Sequence, residues 1–366
     1  MKRSCTRKQG RFVAYRWAEN VYGVAILGAG NIGGIRGGSI QRSTTARVKV
    51  VADMDRSRAS QLAHSLGAVA KTDWRSALED PSVDLAVVST PTKFHAEAVE
   101  SALRAGKHVL CEKPLARNLA EAEKVLEIAG RRRLVLKTGY NYRYMAHVRM
   151  AHDLVRGGAI GALHSMRARY GHGGRPGYEK HWCTDRDLSG GGVLLEQGIH
   201  ILDLMRYVFG EPACILALAE CLFWPFEGTE DNCFLLAQCE AGKTAQIHVS
   251  WTQWVNLFSV EIFGRDGYLH LTGRDGHYGS QRLIWGKRQS DHSRPIEQEF
   301  EFPPPDTSWD LEWKDFVESI GSGREPMSHP ADSCRTLQLV EAAYQSSQRR
   351  EWTDVTSAAI SVRSAR

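Results

Sequence analysis

The sequence predicts an α/β protein in two parts: a doubly wound parallel sheet, then an α+β region built on a large, mainly antiparallel open sheet. Three observations predict it. Short apolar runs alternate with helix-patterned segments over residues 22–138, as parallel strands joined by crossover helices require. The first run leads into Gly28-Ala-Gly30-Asn-Ile-Gly33, a glycine loop between a strand and a helix. From about residue 164 the pattern changes to half-exposed alternation broken by glycine-bearing turns such as Asp266-Gly267, the mark of an antiparallel sheet.

In order, residues 22–27 are the first parallel strand and 31–41 the helix after it. Residues 48–53 form the second strand and 56–65 its helix. A run over 84–89 is closed by Thr90-Pro91 and followed by a helix over 95–105. The run 107–111 carries Glu112-Lys113-Pro114 at its carboxyl end. A helix over 118–129 and a strand over 134–138 complete the alternation. Beyond it, strands are predicted at 164–170, 233–239, 244–251, 258–263 and 268–271, with one helix over about 192–209 ahead of most of them. Pro303-Pro304-Pro305 breaks the chain before closing helices at 309–320 and 331–348. One face of the second sheet should lack helices of its own, leaving Trp251, Trp254 and Phe258 exposed in a monomer. The expected division is a basic, poorly ordered extension over 1–20, a dinucleotide-binding domain over 21–140, and a substrate-binding and oligomerisation domain over 141–366.

Composition narrows the function. With 42% hydrophobic and 24% charged residues, the balance is that of a globular protein. No apolar run is long enough for a membrane helix. The net charge of +5 is concentrated in Lys2, Arg3, Arg7, Lys8, Arg11 and Arg16, against Glu19 alone in that stretch. The remaining body is nearly neutral, so charge gives no case for nucleic acid. That basic stretch lacks the apolar core of a secretory signal. The eight cysteines lack metal-finger spacing, and several fall in apolar runs, which fits a reduced, cytoplasmic setting and no metal site.

The glycines have separate physical tasks. Gly28 permits a tight turn, Gly30 lets a pyrophosphate approach the backbone, and Gly33 packs helix against strand. Asn31 and Ile32 complete the loop, and the helix amino terminus supports phosphate charge. Asp53, twenty positions after Gly33, stands where an acid bonds the ribose hydroxyls and repels the extra phosphate of NADP. Arg56 and Arg58 are the alternative, as partners for that phosphate or as a solvated helix start. NAD is the cofactor expected, with NADP second.

Lys113 lies at the carboxyl end of a parallel strand, where ligands bind in such sheets. On the helix from about residue 192, Glu196, His200 and Asp203 form a narrow polar stripe on an otherwise apolar cylinder, with Gln197 beside it. That arrangement suggests a cleft wall. A histidine satisfied in a structural network is the competing reading.

Together with Thr90-Pro91 and His95, Glu112-Lys113-Pro114, Gly139-Tyr-Asn-Tyr-Arg143, Gly190-Gly-Gly192 and Gly198-Ile-His200, these features give the chain a resemblance, over about 21–348, to the glucose–fructose oxidoreductase / inositol dehydrogenase (Gfo/Idh/MocA) family. The resemblance implies a Rossmann domain followed by a domain whose large open sheet mediates dimers or tetramers. It implies that Gly28, Gly30, Asn31, Ile32, Gly33, Asp53, Thr90, Pro91, His95, Glu112 and Lys113 serve the cofactor. The family's catalytic lysine falls on Lys113 and its histidine on His200; its usual aspartate four residues earlier is replaced by Glu196. The family's motif proline, often cis, falls on Pro114. In the expected chemistry His200 takes the hydroxyl proton, Lys113 stabilises alkoxide charge, and Glu196 orients the imidazole or supports its charged form. Tyr142, Arg143, Lys180, Trp182 and Gln197 are candidate substrate contacts, with ordinary surface or core roles as the alternative. The implied activity is NAD-dependent oxidation of a sugar, sugar nucleotide or cyclitol. The stretch Ser250-Trp-Thr-Gln-Trp254 resembles relatives encoded with surface-polysaccharide enzymes and leans the reading to sugar nucleotides. A glycosidase with internal redox cycling and a non-catalytic dinucleotide sensor are the alternatives.

Overall fold

Strands buried on both faces need helices on both sides, and the first half of the chain supplies them. The computed structural model describes residues 21–290 and 293–355, so the basic stretch 1–20 lies outside the described residues. Six strands, β1 (Tyr22–Leu27), β2 (Ala46–Ala52), β3 (Val69–Lys71), β4 (Leu85–Val88), β5 (His108–Glu112) and β6 (Leu136–Gly139), form one sheet in the order β3-β2-β1-β4-β5-β6. Every pairing in it is parallel. The order reverses between β1 and β4, which opens a crevice at the carboxyl ends of those strands.

The crossovers are α1 (Asn31–Arg42), α2 (Arg56–Leu66), α3 (Trp74–Leu78), α4 (His95–Arg104) and α5 (Leu119–Arg132). Local chemistry sets their ends. Asp55 caps α2 by accepting from the backbone N–H groups of Ser57 and Arg58, and Gly67 closes it in the left-handed conformation. Asn118 caps α5 through the Glu121 N–H.

The second sheet holds nine strands: β7 (Leu163–Gly171), β8 (Pro212–Glu220), β9 (Asn232–Cys239), β10 (Thr244–Ser250), β11 (Leu257–Gly264), β12 (Gly267–Thr272), β13 (Gln281–Lys287), β14 (Ile296–Phe302) and β15 (Thr353–Asp354). Their order is β14-β13-β12-β11-β7-β10-β9-β8-β15, antiparallel except where β7 meets β10. Helices α6 (Ala146–Arg156) and α7 (Arg186–Ser189) precede the helix that runs from Leu194 to Phe209. That helix has α geometry only at its centre, α8 (Ile199–Leu204); wide π turns flank it at Leu194–Gly198 and Met205–Phe209.

Two closing helices bind the halves together. From α9 (Ser308–Ser322), Trp313 and Phe316 pack on Val24, Ile26, Leu85 and Val87, joining α1 and α2 in covering one face of the first sheet. The other, α10 (Pro330–Arg349), lies along β8, where Ser346 Oγ and Ser347 Oγ accept from the N–H groups of Ala217 and Ala219, each at 2.9 Å.

The expected apolar face needs correction. Trp251 and Phe258 are 1% exposed; they pack among Tyr178, Phe226, Tyr142 and Tyr170 on the helical side of the sheet. Trp254 is exposed as expected. The outward apolar positions of β8 and β9 are Leu218, Phe234 and Leu236, which alternate with buried neighbours.

Candidate active site

The cofactor end is built by backbone. Gly28 has φ +103°, and a Cβ there would stand 2.5 Å from the Ser89 carbonyl oxygen. A Cβ on Gly33 would stand 2.1 Å from the Gly28 oxygen, so α1 can approach the loop only through glycine. A Cβ on Gly30 would meet nothing within 4 Å. Gly30 therefore leaves open space at the start of α1, whose first N–H groups have no side-chain cap. Half-buried Asp53 accepts from Ala29 N through Oδ2 at 2.7 Å and from Asp55 N through Oδ1 at 2.9 Å, fixing the loop from below. Open space, unpaired donors and this carboxylate fit a dinucleotide. Arg58 turns to Asp55 at 3.3 Å, and Arg56 is exposed.

The loops after β4 and β5 are tied by His95. Its Nδ1 lies 2.7 Å from the Pro114 oxygen and its Nε2 2.8 Å from the Thr90 oxygen. Burial lowers its pKa, so the neutral ring donates to one of the two carbonyls. Pro91 starts the Thr92–Phe94 turn that delivers His95, and Thr90 Oγ1 is buried without a partner. The Lys113–Pro114 bond is cis.

Glu112 has a partner the sequence reading missed. Arg36 on α1, fully buried, donates from Nε to Glu112 Oε1 at 2.7 Å, while its Nη1 lies 2.7 Å from Glu312 Oε2 on α9. The guanidinium also lies over the Trp309 ring, 4.5 Å from its centroid. Nothing in the local pattern of α1 announces this cation, because both acids come from distant segments.

Past Glu112, the chain turns into a cavity of ≈ 420 Å³ between the two sheets. Asn31 and Ile32 of the glycine loop line one end, and Lys113, Tyr142, Trp182, Glu196, Gln197 and His200 line the interior. Lys113 Nζ donates to the Glu196 backbone oxygen at 2.6 Å and lies 3.5 Å from Glu196 Oε2. Thr92 Oγ1 donates to Glu196 Oε1 at 3.4 Å. No hydrogen bond or ion pair joins Glu196 to His200 among the described residues. The expectation that this glutamate orients the imidazole is corrected: it lies in the π turn and is engaged by Lys113 and Thr92.

His200 is supported by an aromatic plane instead. Its ring stacks on Tyr142, with centroids 3.9 Å apart and planes at 8°. Its Nδ1 is buried without a partner. Burial, then the charges of Lys113 and Arg274, push its pKa well below the ordinary imidazole value, which leaves the ring neutral. At His172, burial and then the charges of Arg274 and Arg175 push the pKa down to about 4. Cys183 also faces the cavity, 2.9 Å from His181 Nδ1, but burial and Glu196 push its thiol up to about 12. It is therefore no thiolate nucleophile.

Two expected substrate contacts are not in the cavity lining. Arg143 is buried in an ion pair with Asp203, Nη2 to Oδ1 at 2.6 Å, and reaches Asp332 at 2.9 Å. It anchors the third member of the helix stripe to α10. Lys180 is exposed on the Tyr178–Lys180 turn. Arg274 lines the cavity and was missed, since it lies in a short turn between two strands with no motif around it.

Comparison with known proteins agrees with this architecture. The family model for oxidoreductases with an NAD-binding Rossmann fold (GFO_IDH_MocA) matches residues 22–140, and that for the GFO/IDH/MocA C-terminal domain matches 148–270. Myo-inositol 2-dehydrogenase of Thermotoga maritima is 31% identical over 89% of this chain and 96% of its own length. Levoglucosan dehydrogenase of Pseudarthrobacter phenanthrenivorans is 32% identical over 46% of this chain, and the match spans 44% of that relative, less than half its length. Among solved structures, aldose-aldose oxidoreductase from Caulobacter crescentus, complexed with glycerol, superposes with a TM-score of 0.81 at 26% identity, covering 91% of this chain and 99% of that one.

Proposed function

The chain belongs to the Gfo/Idh/MocA family of NAD-binding oxidoreductases, and on that premise we propose that it moves hydride between a secondary alcohol of a sugar, sugar nucleotide or cyclitol and NAD. The observation that carries the reading is the cavity itself: an ammonium and a neutral imidazole line one space that ends at the glycine loop. NAD, when bound, supplies the hydride acceptor. Lys113 keeps donors free beyond the one given to Glu196 O, and these hold the substrate oxygen and stabilise alkoxide charge. His200 takes the hydroxyl proton. Glu196 positions the ammonium, and Tyr142 holds the imidazole plane. Gln197 offers its buried, unpartnered Oε1 to a substrate hydroxyl, and Trp182 gives it an apolar wall.

Asp53 supports NAD over NADP, because a second phosphate there would meet its carboxylate. Residues 21–140 are assigned to the cofactor and 141–366 to substrate and assembly. The free cysteines support a reducing, cytoplasmic setting. Among the described residues, no helix is long and apolar enough to cross a membrane. The test is a screen of sugars, inositols and nucleotide sugars with NAD, and of the corresponding ketones with NADH, followed by the absorbance of the reduced cofactor. Hydride transfer with at least one class is expected. Silence across the whole panel in both directions would sink the reading.

A further inference from the structure

We propose that the substrate carries an oxyanion, a carboxylate or phosphate group, and that Arg274 holds it. This rests on the dehydrogenase reading and narrows its substrate class.

Arg274 is presented by a constructed loop. Between β12 and β13, Gly273, Asp275, Gly276 and Gly279 all have positive φ, at +74°, +63°, +58° and +79°. A Cβ on Gly273 would stand 1.9 Å from the Ser280 oxygen. The N–H groups of Arg274 and Asp275 both donate to the Gly279 oxygen, at 3.1 and 2.8 Å. Gln281 then fixes the loop to the start of α6: its Nε2 donates to Asp275 Oδ2 at 2.8 Å and its Oε1 accepts from Ala146 N at 3.1 Å. A non-glycine residue held in the left-handed region is strained, and such strain clusters at ligand sites.

The guanidinium so placed has aromatic neighbours and no acid. It lies over the rings of Tyr278, Tyr142 and Tyr170, at 4.6, 5.5 and 6.0 Å from their centroids. Its Nε is buried without a hydrogen-bond partner. No carboxylate lies within ion-pair distance of it among the described residues. Asp306 acts on it from further away, and the two Asp306 oxygens already accept from Ser308 N and Oγ. The two acids lining the cavity are also engaged, Glu112 by Arg36 and Glu196 by Lys113. The cavity wall thus holds an uncompensated cation next to neutral His200 and His172. A half-buried guanidinium held by tyrosines but by no acid keeps its charge uncompensated, and a planar fork of donors matches a carboxylate or phosphate in two-point contact.

The test uses full-length protein loaded with NAD. It is titrated calorimetrically with D-glucose, D-glucuronate and D-glucose 6-phosphate, and the titrations are repeated with Arg274→Gln and Arg274→Lys. One anion is expected to bind on the order of ten- to a hundredfold tighter than glucose, the scale of one charged hydrogen-bonded contact. The anion that gains identifies the group. Arg274→Gln should erase the preference. Arg274→Lys keeps a cation but loses the fork and should retain only part of it; it decides the matter if circular dichroism shows the glutamine variant unfolded. Glucose binding as tightly as both anions, no binding by either anion, or a preference undiminished in a folded variant overturns the proposal. NAD reduction is read separately. Tight anion binding together with silence across the whole panel of substrates in both directions would remove the dehydrogenase reading and leave the anion site, whereas turnover of glucose without anion preference would do the reverse.

Discussion

At the scale of single residues, the base role proposed for His200 has a direct kinetic consequence. A base must be unprotonated to take the hydroxyl proton, and burial with two nearby cations disfavours imidazolium. Oxidation should therefore stay level as pH falls through 6.5, the ordinary imidazole value, and decline only well below it. Replacing Lys113 removes one of those cations, so the histidine pKa rises and the acid limb shifts to higher pH. Lys113→Met should also cost about a hundred- to a thousandfold in kcat while NAD affinity is largely kept. Steady-state pH profiles of both proteins check the pair of expectations, and an acid limb at the same pH in both would detach Lys113 from His200. Lys113 and His200 were legible in the sequence because each stands in a dense local motif. Arg274 and Arg36 were not, because their importance comes from what distant segments bring to them. Arg143 misled for the same reason. It belongs to a motif, yet Asp203 and Asp332 claim its guanidinium.

Among the elements, legibility followed periodicity. The apolar runs of β1, β2, β4, β5 and β6 and the strands β7, β9, β10, β11 and β12 were readable from pattern alone, whereas β3, three residues long and mostly exposed, was missed. β8 was missed: it opens with Pro212 and is rich in alanine and leucine, a composition without strand preference. β14 was missed because most of it is exposed and every second residue from Glu297 is glutamate, so its burial signal is faint. The missed ion triad of Arg36 ties together elements distant in sequence. It joins α1, β5 and α9 through groups that are nearly all sealed from solvent. Arg36→Leu would leave Glu112 and Glu312 as uncompensated buried charges, at a cost of about 3–5 kcal/mol. Urea denaturation at neutral pH should show that loss. A change within about 0.5 kcal/mol, the range of ordinary surface substitutions, would mean that the acids find other partners.

For the molecule as a whole, the proposal that the second sheet carries assembly can be tested. Leu218, Phe234 and Leu236 form apolar positions on its outer face, and Trp254 and Val255 add more at the end of β10. A dimer or tetramer is expected by light scattering, and the double variant Phe234→Glu, Leu236→Glu should shift it to a smaller species. A wild-type monomer would contradict this. The closing helix α9 has another consequence, for the order of events during synthesis. Trp313 and Phe316 cover strands made almost three hundred residues earlier, such as β1 at Tyr22–Leu27. On the ribosome that face of the nascent sheet is covered only in part, by Ile40 of α1 and Ala63 of α2, until α9 has left the exit tunnel, so the nucleotide half completes its packing late. A fragment ending at residue 140 should accordingly aggregate when expressed alone and stay dispersed when residues 308–322 are supplied by fusion. A soluble, cooperatively melting fragment would show that the early half folds as soon as it emerges.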